Sequence, residues 1–116
     1  MDTWLDVARE NRKAATVLSR GCHYRSAVSR AYYAAYARTT HALAGIGVTM
    51  PGGRVGPHHQ SLPQMVKSNL GKPELSSILA RLYVMRCLAD YAPSKTVDSH
   101  ECRAAVSLML RVFESV

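Results

Sequence analysis

The chain has 116 residues, of which 47% are apolar and 20% charged, with a formal net charge of +7. That length suits one domain around one core, here residues 1–116, and the composition is that of a globular protein rather than a disordered one. No apolar run is long enough to span a bilayer, and residues 1–10 show no basic, apolar, small-residue leader, so a soluble cytoplasmic protein is expected.

The three cysteines, Cys22, Cys87 and Cys102, form no CxxC pair and show no zinc spacing. Neither a disulfide framework nor a structural metal or other cofactor is expected. Most of the basic residues are Arg, whose planar fork suits phosphate better than the point charge of Lys. The charge therefore favours a polyanionic partner or an acidic protein surface, with a basic but inert surface as the alternative.

In chain order, Trp4, Leu5, Ala8, Ala15 and Leu18 fall at helical intervals after Asp2 and Thr3, either of which can cap, and Gly21 is a stop. This predicts a first helix over about 3–20. A second, over about 24–44, carries the stripe Tyr24, Ala27, Val28, Ala31, Ala35, Arg38 and Ala42 and is rich in alanine. Residues 45–57 hold five glycines and two prolines, which predicts a mobile surface loop. A short third helix is expected from Ser61 or Leu62 to Asn69, with Pro63 tolerated in its first turn. A fourth runs from Pro73 to about Tyr91, with Leu75, Ile78, Leu79, Leu82, Met85 and Ala89 turned inward. A fifth follows the capping-box pair Asp98 and Glu101 and presents Ala105, Leu108, Met109 and Val112. Nothing reads as a strand. Short connections favour antiparallel neighbours, so the expected fold is all-α, an up-and-down four-helix bundle with one additional short helix.

Three features break the pattern of apolar inside and charged outside. In the second helix Arg30, Ala34, Ala37 and His41 lie close to one line, with Tyr33 beside it. An Arg next to aromatics can stack on a base and hold its phosphate, or the tyrosines can be ordinary core residues. In the fourth helix Arg86 follows Leu82 by four residues and Leu79 by seven, so it points near the apolar stripe and needs a partner. Asp90, four residues on, can supply it, as a structural ion pair or as the group that orients an Arg on phosphate. His58 and His59, after the glycine-rich segment, can move protons near neutral pH, cap a helix or lie in solvent, while metal binding lacks further ligands. No P-loop, GxGxxG, GxSxG or HExxH is present.

Taken together, YRSAVSRAYYAAY at 24–36, HHQS at 58–61 and RCLADY at 86–91, between a leading and a terminal helix, resemble the HEPN superfamily of small helical proteins. The resemblance implies a dimeric bundle, commonly encoded beside a minimal nucleotidyltransferase, in toxin–antitoxin, phage-defence or RNA-processing systems. Many members resemble metal-independent endoribonucleases, in which an Arg followed after four to six residues by His forms the site. Here Tyr91, Ala92 and Pro93 stand where that His belongs, preceded by Asp90. Arg54 and His59 match the spacing only across the glycine-rich segment. The expected catalytic residues are then Arg86, Asp90 and His59, with Arg30, Tyr33, Tyr91 and His58 binding RNA or a nucleotide. Tyr91 is also the hydroxyl nearest the motif, able to accept a nucleotidyl group from a partner enzyme. A non-catalytic antitoxin or substrate-binding subunit, or a plain oligomerisation domain, remains the alternative.

Overall fold

A computed structural model describes residues 2–50 and 55–116. These form five helices in the order α1 (Trp4–Arg20), α2 (Tyr24–Gly45), α3 (Leu62–Leu70), α4 (Pro73–Tyr91) and α5 (Ser99–Ser115), and no strand occurs among the described residues. The fold is all-α.

The helix ends follow from local chemistry. Thr3 caps α1 in a full capping box: its hydroxyl accepts from the Asp6 N–H (3.2 Å), and the Asp6 carboxylate accepts from the Thr3 N–H (2.9 Å). These bonds hold the Asp6 carboxyl below its ordinary value. At the other end the stop is not made by a left-handed glycine at Gly21. The left-handed residue is Cys22 (φ 63°), whose N–H bonds to the Ser19 carbonyl while His23 N–H reaches back to Leu18. This is a Schellman turn with a non-glycine at its strained position. Gly71, by contrast, closes α3 at φ 63° as glycine should, and Pro73 then opens α4. The Asp98 side chain accepts from Glu101 N–H (3.0 Å) to start α5.

One expectation needs correcting. The second helix does not bury a single stripe; α2 is enclosed over most of its circumference and packs against all four other helices. Ser29, Tyr32, Ala34, Tyr36, Ala37, Thr39, Thr40 and Leu43 are buried along with the predicted Ala27, Val28, Ala31 and Ala35, while Tyr24, Arg38 and Ala42 are only partly so. The alanines let neighbouring backbones come close. The buried hydroxyls of Thr39 and Thr40 are satisfied by the carbonyls of Ala35 and Tyr36, each at 2.8 Å. The inward positions of α4 and α5 are as expected, with Met85 partly buried and Cys102 added to the core.

The segment expected as a surface loop over 45–57 includes 51–54, which lie outside the described residues. Gly45, Ile46, Gly47, Thr49 and Val55 are exposed, as expected, but the segment turns inward at its end. Pro57 is buried, its carbonyl accepts from the Tyr36 hydroxyl (2.6 Å), and Gly56 is pressed against Tyr36 and Trp4. A Cβ on Gly56 would sit 2.6 Å from the Tyr36 hydroxyl oxygen and 3.0 Å from the Trp4 ring, so only glycine lets the chain pass this close. That approach carries His59 inward.

Candidate functional site

The site forms where the middle of α2, the end of α4 and the segment before α3 meet. On α4, the Arg86 side chain is 11% exposed. Its Nη2 donates to the Tyr33 hydroxyl at 2.6 Å and, at 3.4 Å, to the Tyr91 hydroxyl. Its guanidinium carbon lies 5.2 Å from the Tyr33 ring centroid and 5.3 Å from that of Tyr91. Nε is 3.0 Å from Asp90 Oδ2, but its N–H is not aligned for a hydrogen bond, so Asp90 acts on Arg86 by charge alone. Ser29 Oγ donates to that same Oδ2 at 3.1 Å. Burial works against the Arg86 charge, but the oxygens of Tyr33, Tyr91 and Asp90 and the Cys87 thiol outweigh it and raise its pKa. Arg86 is thus a permanent cation, held in place.

His59 completes the constellation. Its ring is surrounded by four tyrosines, with centroid distances of 4.8 Å to Tyr36, 5.4 Å to Tyr32 and 5.9 Å to Tyr33 and Tyr83, the last nearly parallel at 20°. Nδ1 lies 2.6 Å from the Tyr32 hydroxyl. Burial, with Tyr36 beside it, pushes the Tyr32 phenol far above its ordinary value, so its O–H stays protonated. A protonated phenol can donate to Nδ1 or accept from an Nδ1–H, and the second arrangement leaves Nε2 free to take a proton.

Tyr33 is the hinge of the arrangement, for its hydroxyl holds Arg86, its ring touches His59, and the Arg30 guanidinium carbon sits 5.0 Å from its centroid. Arg30 also donates to Asn11 Oδ1 at 3.1 Å. Beyond Tyr33 a cavity of about 440 Å³ opens between α1 and α2, bounded by Trp4, Asn11, Arg30, Tyr36 and His59. His41, further along the predicted line, faces a separate cavity with Asp2, Thr3, Trp4 and Val55.

Of the residues expected from sequence, the structure brings Arg86, Asp90, Tyr91, Tyr33, Arg30 and His59 into one connected group. His58 it does not. That side chain is exposed and borders a shallow pocket with Gln60, Ser61 and Tyr83, while its carbonyl accepts from the N–H groups of Ser61 and Leu62 at the start of α3. Arg54 lies outside the described residues. No cluster of three or more metal-ligating side chains occurs among the described residues.

Sequence reasoning missed the supporting residues. Arg25 Nη1 donates to the carbonyls of Leu88 (3.3 Å), Ala89 (2.9 Å) and Ala92 (3.2 Å), and its Nη2 to those of Pro93 (3.4 Å) and Lys95. It caps the end of α4 beside Asp90 and Tyr91, where carbonyls lack helical partners. No local signal foretells contacts across more than 60 residues of chain. Asn11 carries a faint one, as a polar residue at the interval of Trp4 and Val7.

The model of the HEPN domain matches residues 1–116, the whole chain. The protein belongs to the HEPN family. Comparison with curated proteins and with solved structures found no match. Within this HEPN protein the position four after Arg86 is a carboxylate, and the imidazole closest to the arginine's partners comes from elsewhere in the chain. No described helix is long and apolar enough to cross a membrane.

Proposed function

We propose that this HEPN protein binds RNA or a nucleotide at Arg86 and that His59 supplies the imidazole missing after the motif arginine. The observation that carries the reading is the contact of His59 with the tyrosine whose hydroxyl holds Arg86. In RNA cleavage the ribose 2′-oxygen bonds to the adjacent phosphorus and gives up its proton to His59, Arg86 stabilises the charge of the phosphorane, and the bond to the 5′-oxygen breaks, leaving a 2′,3′-cyclic phosphate and a 5′-hydroxyl that takes its proton from the imidazolium or water. Asp90, engaged by Ser29 and beside Arg86, orients the arginine. No metal is needed in this scheme.

The arrangement of the helices is read as an up-and-down bundle that pairs as a homodimer in a toxin–antitoxin or phage-defence module, beside a nucleotidyltransferase or other partner. Exposed Val84 and Leu88, four residues apart on one side of α4, favour pairing there. Tyr91, 71% exposed, is the hydroxyl a partner transferase would reach.

A second reading rests on the engagement of Arg86 by Tyr33, Tyr91 and Asp90, which suits a non-catalytic binding subunit that docks RNA without cutting it. Labelled RNA incubated with the protein in chelator, with Arg86→Ala and His59→Gln in parallel, decides between them. Cleavage lost in both variants supports the catalytic reading. Equal cleavage by all three removes it. Binding without cleavage, with salt-dependent affinity lost in Arg86→Ala, leaves the binding subunit, and no affinity for RNA removes both.

A further inference from the structure

The cavity between α1 and α2 shares Tyr33 and His59 with the scheme above, and the rest of its lining specifies a ligand. It is lined by the apolar Val7 and Ala37 and by the rings of Trp4, Tyr33 and Tyr36. A volume of about 440 Å³ is in the range of small-molecule sites, and an aromatic lining suits a planar ring better than a phosphate or a flexible side chain. The cavity's polar groups are Arg30, Asn11 and His59. Asn11 is fixed by its own helix, its amide nitrogen donating to the Val7 carbonyl (2.9 Å) while its oxygen accepts from Arg30 Nη1. The Asn11 oxygen is thus already used, and what Arg30 adds to the lining is guanidinium N–H donors.

We infer that this cavity is a nucleobase subsite that takes an unpaired guanine in preference to adenine. It rests on the reading that Arg86 holds the phosphate, since Tyr33 is the wall common to both. Guanine offers two acceptors, O6 and N7, to a guanidinium, whereas adenine sets its N6 amino group, a donor, against donors. The geometry at Arg30 thus discriminates by repulsion as well as by attraction.

The chain contains a single tryptophan, and it lines this cavity as well as the one beside His41, so Trp4 emission reports binding at either and its dependence on Arg30 assigns it to this one. GMP, AMP and ribose 5-phosphate are titrated into the full chain. GMP is expected to quench saturably, with an affinity roughly tenfold above that of AMP, and ribose 5-phosphate to leave emission unchanged. Arg30→Met, which keeps the aliphatic stem and loses the donors, is expected to bring GMP and AMP to within about twofold of each other. Its folding is checked by circular dichroism; should it unfold, Arg30→Lys is the variant to read, with the same loss of preference expected for a point charge.

Absence of quenching by GMP overturns the subsite, and equal quenching by GMP and AMP in the wild type overturns its preference. The two readings fail separately. If RNA affinity is unchanged in Arg86→Ala but GMP still quenches Trp4, the phosphate site is wrong and the base subsite stands. Lost RNA affinity in Arg86→Ala with a silent Trp4 gives the reverse.

Discussion

Replacing Tyr33 by Phe deletes one oxygen and keeps the ring, so it isolates what holds Arg86. The deleted hydroxyl accepts from Arg86 Nη2 at 2.6 Å, and the guanidinium is largely removed from water, with 11% of the side chain exposed. Hydrogen bonds to charged groups contribute about 1.5–3 kcal/mol. The Tyr91 hydroxyl, at 3.4 Å, can close in and recover roughly 0.5 kcal/mol, so the expected loss of stability is about 2 kcal/mol. For a domain of this size that corresponds to a fall of roughly 8 °C in Tm. Urea unfolding followed by circular dichroism and Trp4 emission measures it, and the urea dependence should keep its slope. Tyr91→Phe alone should cost little, because its bond is long and exposed, yet the double variant should exceed the sum of the two. A Tyr33→Phe protein within about 0.5 kcal/mol of wild type would refute the claim that Tyr33 anchors Arg86.

Arg25→Ala should fray the end of α4 and cost about 2 kcal/mol, seen as faster amide exchange at Ala92 and Lys95 and as weaker RNA affinity; unchanged exchange there counts against its capping role. Cys22→Gly relieves the left-handed backbone after α1 and should raise stability by about 1 kcal/mol in denaturant unfolding, whereas a loss would show that the thiol has a structural use. Above pH 10 stability should fall, since the unfolded chain ionises Tyr32 near its ordinary value of 10.0 while burial keeps the folded phenol protonated. Tyr32→Phe should flatten that decline; a spectrophotometric titration in which all six tyrosines of the folded protein ionise together near pH 10 would contradict it.

Helix positions were readable in the chain because their signals are local. The Thr3 and Asp98 caps, Gly71 with Pro73, and the apolar spacing of α4 and α5 act over one or two turns, and each element begins and ends within a residue or two of expectation. The anomaly of Arg86 was readable too, since a cation on an apolar stripe demands a partner whatever the fold. Asp90 was found by the i,i+4 interval. What spacing could not supply was direction: α2 reads as amphipathic only if one assumes one neighbour, and it has four.

The choice between His58 and His59 lay wholly with the tertiary structure. Adjacent in sequence and identical in chemistry, they part because the close approach of Gly56 to Tyr36 and the burial of Pro57 turn one ring into the tyrosine cluster and leave the other exposed. The amino-acid sequence by itself determined an all-helical chain with a cationic anomaly at Arg86 and no histidine at the motif spacing after it. Only long-range packing decided that a histidine 27 residues away from the arginine would stand against the same tyrosine, because ring contacts of this kind depend on how helices cross and not on the intervals within any one of them.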